Sequence, residues 1–207
     1  MAEDLVFYTN PMSRGRIVRW MLEEVGAGYR TELLDYGTTM KASAYLAINP
    51  MGKVPAIVHR GTTVTETAAI CAYLADAFPD AGMAPPPAGR GAYYRWLFFA
   101  AGPLEAAVSN RFLGVDPPAD KRAMVGYGSY GAVLDTLEKA VSGSLYLAGE
   151  RFSAADLYVG SHLGWGMEFG TIEKRPAFVD YYTRVGDRPA HRRATELDDA
   201  AMPPAAT

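Results

Sequence analysis

A segment rich in proline and glycine divides the 207-residue chain into two parts of different character. Residues 79–91 read PDAGMAPPPAGRG, and such a density of proline and glycine can continue neither a helix nor a strand. Patterns typical of strands and helices alternate before it, and no convincing strand pattern follows it. The predicted fold is therefore an α/β domain over residues 1–80, a linker over 81–90 and an all-α helical domain over 91–207.

The first part of the chain predicts a small sheet with helices packed on it. Apolar periodicity and turn residues indicate the order β-α-β-α-β-β-α. The segments are, in chain order, residues 4–8, 14–25, 29–36, 40–49, 54–60, 62–66 and 66–78. A right-handed crossover would pair the first two strands in parallel.

The second part predicts helices alone. Their expected ranges are 92–113, 120–141, 153–169 and 175–187. Gly102 and Pro103 are expected to bend the first of these helices, because proline removes a backbone hydrogen bond. The tail, residues 198–207, reads DDAAMPPAAT and is expected to be frayed.

Composition and charge argue against several classes of function. A net charge of −3 gives no basic footprint for nucleic acid or an anionic membrane surface. No apolar run approaches the roughly 18 residues of a membrane span, and the acidic start is unlike a signal peptide. A single cysteine excludes an internal disulfide and fits the cytoplasm. The three histidines show no metal-ligand spacing, so no metal site is expected.

The most specific local motif is NPMGKVPAIV, residues 49–58. Pro55 stands at the start of a strand, where a proline lies at an edge or follows a cis peptide bond. A cis bond there would direct the N–H and C=O of Val54 out of the sheet, ready to pair with an extended peptide. The alternative is that Pro55 merely begins a strand.

A second motif, TVTETAAICAYL, covers residues 63–74 and joins a strand to a helix. Free N–H groups at the helix start would bind a carboxylate, and Glu66 beside them would bind an ammonium group. Together they suit a ligand that carries both charges. The alternative is a plain helix cap by Thr67 with Glu66 favouring the helix dipole.

The third motif, NPMSRGR, covers residues 10–16 on a predicted strand-to-helix turn. A C-x-x-C pair at this place would indicate thiol–disulfide chemistry, but the turn carries Ser13 and no cysteine. The helix start would still stabilise a negative charge. Ser13 is also a candidate N-cap for the helix that begins at Arg14.

These three motifs, with GERFSAADL at residues 149–157, resemble the glutathione transferase superfamily over essentially the whole chain. The resemblance implies a thioredoxin-like N-terminal domain and an all-helical C-terminal domain. In the fourth motif, Ser153 and Asp156 have capping-box spacing with Asp in place of the usual Glu, and the family uses this cap as a folding signal.

The resemblance also implies that glutathione is the co-substrate and that it lies on the N-terminal domain. The backbone of Val54, beside cis Pro55, would hold its cysteinyl part. Glu66 and Thr67 would hold the γ-glutamyl end, and Lys53 and Lys41 would face the glycine carboxylate. Both lysines are alternatively ordinary solvated surface residues.

Serine-type classes of the family, phi- and theta-like, assign thiolate stabilisation to the serine after PM, which is Ser13 here. Because RGR also resembles tyrosine-type classes, Asn10 and then Tyr8 are the alternative donors. Arg16 would add positive potential near the sulfur, or else lie at the surface. Cys71 is expected to be a buried, inert thiol.

The electrophile would meet residues of the first C-terminal helices. Phe99, Leu104 and Phe112 are the candidates, with Tyr93 as a further one, although an aromatic stripe on a helix is more often core. The implied function is conjugation of glutathione to hydrophobic electrophiles, a detoxification activity, by a cytoplasmic homodimer. The alternatives are a glutathione-binding protein without significant transferase activity and a glutathione-dependent peroxidase or disulfide reductase.

Overall fold

A computed structural model describes residues 4–203 and divides the chain into two compact units. The first unit contains the residues up to 83 together with those from 188 onward, and the second contains residues 84–187. Residues 188–203 therefore group with the α/β part, whereas the sequence prediction placed them in the helical domain.

The first unit is built on a four-stranded sheet in the order β2-β1-β3-β4. Its strands are β1 (Leu5–Thr9), β2 (Arg30–Leu33), β3 (Ala56–His59) and β4 (Thr62–Thr65). β1 and β2 are parallel, which confirms the predicted pairing, while β3 is antiparallel to both β1 and β4. The two faces of β1 differ, since Leu5, Phe7 and Thr9 are buried and Tyr8 is half-buried.

Three helical segments flank these strands, namely α1 (Gly15–Val25), α2 (Ser43–Leu46) and α3 (Thr67–Ala77). α1 ends at Gly26, whose φ of 63° is the left-handed conformation that favours glycine at a helix end. The helix predicted over 40–49 is shorter than expected. A 3₁₀ turn over Thr39–Lys41 precedes α2, and Ala42 between them has extended backbone.

The second unit is helical, as predicted. Its helices are α4 (Gly91–Phe99), α5 (Glu105–Phe112), α6 (Tyr130–Gly143), α7 (Ala154–Glu168) and α8 (Pro176–Gly186). A π-helical segment, Ala100–Leu104, joins α4 to α5 and contains Pro103 where a bend was expected. The helix predicted from residue 120 instead begins at Tyr130, because Ser129 caps it by accepting a hydrogen bond from the N–H of Ala132.

A further helix, α9 (Pro189–Ala200), belongs to the first unit and was not predicted. The expectation of a frayed tail is wrong for residues 198–200, which are helical, and Asp198 is fully buried. Residues 204–207 of that tail lie outside the described part of the chain. Within residues 4–203, none of the helices combines the length and the apolar character needed to cross a bilayer.

The predicted capping box at the start of α7 is confirmed. The buried Asp156 carboxylate accepts hydrogen bonds from the Ser153 N–H (3.0 Å) and hydroxyl (2.8 Å). It also accepts from the Leu147 N–H (2.7 Å) and the Tyr181 hydroxyl (2.8 Å), so it joins three segments of the second unit. Ser153 and Asp156 are therefore structural residues.

Glycines on α7 allow α8 to approach it closely. A Cβ at Gly164 would overlap the ring of Tyr182, and a Cβ at Gly160 would lie 2.7 Å from Cγ2 of Val185. Neither contact has room for a methyl group, so these positions are closed to larger side chains.

We expect Gly164→Ala to destabilise the protein by about 1–3 kcal/mol, because the added methyl group forces Tyr182 out of place. Gly131→Ala on α6 is the matched control, since a Cβ there meets nothing within 4 Å. The control should be stabilised by up to about 1 kcal/mol through helix propensity alone. Urea midpoints measure both changes, and equal midpoints for the two variants would contradict the packing.

Candidate active site

The register of the sheet brings the three predicted motifs to one end of the first unit. Tyr8, near the end of β1, pairs with Ala56 at the start of β3, and Ala56 pairs with Thr65 at the end of β4. The turn 10–16 follows β1, the Val54-Pro55 bond precedes β3, and Glu66 follows β4. All three segments therefore leave the sheet at the same end.

The backbone of Val54 is available for a ligand at this end. The Val54-Pro55 peptide bond is cis, as one of the two sequence interpretations predicted. Over residues 4–203, no hydrogen bond reaches the N–H or the C=O of Val54. An extended peptide could therefore pair with both groups as an added strand does.

The loop before Val54 is held in place by side chains. Its Lys53 carbonyl accepts hydrogen bonds from the Tyr45 hydroxyl (2.6 Å) and from Nδ2 of Asn49 (2.8 Å). Burial raises the pKa of Tyr45 to about 12, so this hydroxyl remains a donor at neutral pH. The Lys53 side chain is exposed.

Lys41 fixes the same loop from the 3₁₀ turn. Its Nζ donates to the carbonyls of Gly52 (2.8 Å) and Met51 (3.2 Å). Gly52 has a φ of +56°, and a Cβ there would lie 2.7 Å from the Met40 carbonyl oxygen. The position therefore requires glycine. Lys41 thus has a structural role that its spacing in the sequence did not indicate.

The start of α3 offers backbone donors. Glu66 has a φ of +65° and a ψ of 116°, a conformation that is costly for a residue other than glycine and is concentrated at functional sites. In the described part of the chain, no side chain forms a capping hydrogen bond at this position, so the plain helix cap offered as the alternative is not observed. The exposed Glu66 and the buried Thr67 therefore lie beside the backbone N–H groups of the first turn of α3, which can bind an anion.

Ser13 is half-buried in the turn before α1, and its hydroxyl makes two hydrogen bonds. It donates to the Asn10 carbonyl (2.7 Å) and accepts from the Gly15 N–H (2.9 Å). A Cβ at Gly15 would overlap the Thr9 hydroxyl, so the close approach of α1 to β1 depends on this glycine. To stabilise a thiolate, the Ser13 proton must leave the Asn10 carbonyl.

The two alternative donors differ in their surroundings. Asn10 is buried, and its side chain donates to the Leu34 carbonyl (2.8 Å) and accepts from the Met12 N–H (2.9 Å). The polar groups of the Asn10 side chain are therefore already used within the structure of the turn. Tyr8 is half-buried with its ring 5.5 Å from that of Tyr45, and its hydroxyl forms no hydrogen bond within the described residues.

Arg16 links the turn to α9. Its Nε donates to the Pro11 carbonyl (2.6 Å), and its Nη2 lies 2.6 Å from Oδ1 of Asp199. Its charge is therefore paired with the Asp199 carboxylate. No local pattern reveals this pair, because the two residues are 183 positions apart.

Cys71 supplies no reactive thiol. Its side chain is fully buried in α3, and burial raises the pKa of the thiol well above its usual range. The sulfur for any thiol chemistry at this site must therefore come from a ligand. Within residues 4–203, no group of His, Cys, Asp or Glu is arranged to hold a metal ion.

The residues expected to contact the electrophile have different environments within the second unit. Leu104 and Tyr93 are buried, Phe99 is half-buried with its ring edge-on to Trp96, and Phe112 is 78% exposed. They do not form one exposed apolar surface.

Comparison with known proteins agrees with this architecture. Residues 12–77 match the glutathione S-transferase N-terminal domain, and residues 115–189 match the glutathione S-transferase C-terminal domain. Glutathione S-transferase GstA of Escherichia coli O157:H7 is 30% identical over 152 residues, which make up 70% of this chain and 73% of that protein.

Solved structures are similar over almost the whole length. A glutathione transferase from Methylococcus capsulatus str. Bath is 29% identical, with a TM-score of 0.78, covering 95% of this chain and 99% of that chain. A sphingomonad glutathione S-transferase complexed with glutathione is also 29% identical, with a TM-score of 0.77, covering 94% and 98%. The chain therefore belongs to the glutathione transferase family of enzymes.

Proposed function

We propose that the protein conjugates the thiolate of glutathione to hydrophobic electrophiles and that Ser13 stabilises the thiolate. The observation that carries this proposal is the unpaired backbone of Val54, which lies at the same end of the sheet as the uncapped start of α3 and the Ser13 turn. A sphingomonad relative binds glutathione, which supports the choice of ligand.

Each part of the tripeptide has a partner at this end. The Val54 N–H and C=O pair with the cysteinyl backbone beside Pro55. The α3 N–H groups and Thr67 receive the γ-glutamyl carboxylate, while Glu66 receives its ammonium group. Lys53 attracts the glycine carboxylate. Lys41 holds the loop and contributes positive charge nearby.

The chemical step needs an ionised sulfur. A free thiol has a pKa of about 8.5, and lowering it by two units requires about 2.7 kcal/mol of preferential stabilisation of the anion. A hydrogen bond to a charged group supplies about 1.5–3 kcal/mol, whereas the neutral bond from Ser13 to Asn10 is worth about 0.5–1.5 kcal/mol. The start of α1 adds about 0.3–1 kcal/mol. Once the thiolate is present, it is therefore favourable for the Ser13 hydroxyl to give up its bond to the Asn10 carbonyl and to donate to the sulfur.

The proposed reaction is attack of the glutathione sulfur, held beside Ser13, on the electrophile. The thiol proton passes to solvent, and the sulfur lone pair attacks the electrophilic carbon, forming the carbon–sulfur bond as the leaving group departs with its electron pair. Phe99, which is half-buried, and Phe112, which is exposed, are the proposed contacts of an apolar electrophile, with the buried Leu104 as the third candidate.

A homodimer that acts in cytoplasmic detoxification is the proposed biological setting. Exposed Tyr94 and Phe98 lie one turn apart on α4 and would supply apolar surface for a second copy.

A glutathione-binding protein without significant transferase activity is the second candidate. The observation in its favour is the Ser13 hydroxyl, which already has both a donor and an acceptor partner within its own turn. Calorimetry with glutathione, combined with turnover of an aryl halide, separates the two candidates. Binding without turnover across a panel of electrophiles would favour this second function.

We expect Ser13→Ala to lower kcat/KM by about ten- to a hundredfold, the value of one hydrogen bond to a charged group. Tyr8→Phe is the control, because it removes the alternative hydroxyl donor near the turn and should leave the rate within twofold. Thermal unfolding of both variants separates lost catalysis from the lost Gly15 contact. A large loss in Tyr8→Phe with full activity in Ser13→Ala would reject the serine assignment.

We expect Glu66→Gln to raise the KM for glutathione about tenfold with little change in kcat, since a charge on the ammonium group is lost far from the sulfur. Asp80→Asn is the matched control, because Asp80 is an exposed carboxylate elsewhere in the same unit. Steady-state kinetics at varied glutathione concentration measures both. A KM that changes equally in the two variants would indicate a general charge effect instead of a specific contact.

A further inference from the structure

The C-terminal helix α9 is attached to α1 by ion pairs within the first unit. At the centre, Nε of Arg19 lies 2.7 Å from Oδ1 of Asp198, and both side chains are almost completely buried. The Arg19 guanidinium also donates to the Tyr29 hydroxyl (3.2 Å) and lies over the ring of Phe7 (5.2 Å). A buried pair with these additional partners fixes the position of one helix on the other.

One end of this attachment reaches the candidate active-site turn. Arg16 donates to Asp199 on α9 and to the carbonyl of Pro11, each at 2.6 Å. Pro11 is buried and follows Asn10, whose carbonyl accepts the Ser13 hydroxyl. A chain of hydrogen bonds therefore runs from α9 through Arg16 to the segment that positions Ser13.

The other end of the attachment lies away from the turn. Arg188 makes a two-point ion pair with Glu24, with N–O distances of 2.5 and 2.7 Å. Glu24 is eight residues beyond Arg16 on α1, or about 12 Å along the helix axis. The same two helices are thus joined at two ends, of which one alone touches the turn.

We propose that Asp199 is a positioning residue that holds the Ser13 turn through Arg16. In this proposal the buried Arg19–Asp198 pair fixes α9 on α1, so that Asp199 lies within reach of Arg16. This inference rests on the proposed function of Ser13. The planar guanidinium holds two acceptors at a fixed angle, so removing the carboxylate frees the group that anchors the Pro11 carbonyl. Small displacements of a catalytic group reduce rates strongly.

Asp199→Asn tests the proposal, with Glu24→Gln as the matched control that weakens the same pair of helices at the far end. We expect Asp199→Asn to lower kcat about tenfold and to leave the KM for glutathione within twofold. The control should keep kcat while losing stability. Equal effects of the two variants on kcat would overturn the proposal.

A second measurement does not depend on activity. Amide chemical shifts of residues 12–15 should move in Asp199→Asn and remain in place in Glu24→Gln. Unmoved amides in Asp199→Asn would overturn the positioning role even if kcat fell. A wild-type protein that neither binds nor turns over glutathione would overturn the proposed function, and the amide shifts would then still decide whether Asp199 holds the turn.

Discussion

The antiparallel pairing of β3 with both β1 and β4 is the constraint on which the candidate active site depends. It places the end of β1, the start of β3 and the end of β4 in one row, through Tyr8, Ala56 and Thr65. A shift of one residue in this register would turn every side chain of β3 to the other face. The cis peptide, the start of α3 and the Ser13 turn would then no longer lie side by side in this arrangement.

The site consists mainly of backbone groups supported by side chains. Tyr45 and Asn49 bind the Lys53 carbonyl, and Lys41 binds the carbonyls of Gly52 and Met51. Among the residues that the structure describes, the backbone N–H and C=O of Val54 have no hydrogen-bond partner. Ser13 is the exception, because the proposed function assigns the chemical role to its side-chain hydroxyl. That hydroxyl donates to the Asn10 carbonyl within its own turn, and in the proposal a thiolate is the partner that makes the exchange of this bond favourable.

Local patterns in the sequence were sufficient for much of this fold. Strand and helix order, the parallel β1–β2 pair and the Asp156 capping box follow from periodicity, crossover handedness and spacing. α9 was not predicted because one of its buried positions is the charged Asp198, and a charged residue predicts an exposed position. Asp198 is buried because it pairs with Arg19, which is far away in the sequence. The family resemblance implied that Lys41 faces the glycine carboxylate, with an ordinary surface lysine as the alternative. Its bonds to the Met51 and Gly52 carbonyls depend on a loop conformation that the sequence spacing does not encode.

A crystal structure with bound glutathione tests the central claim most directly. The account predicts that the Val54 N–H and C=O pair with the cysteinyl residue and that the Ser13 hydroxyl leaves the Asn10 carbonyl to lie within hydrogen-bond distance of the sulfur. A sulfur bonded to the Tyr8 hydroxyl, with Ser13 still donating to Asn10, would contradict it.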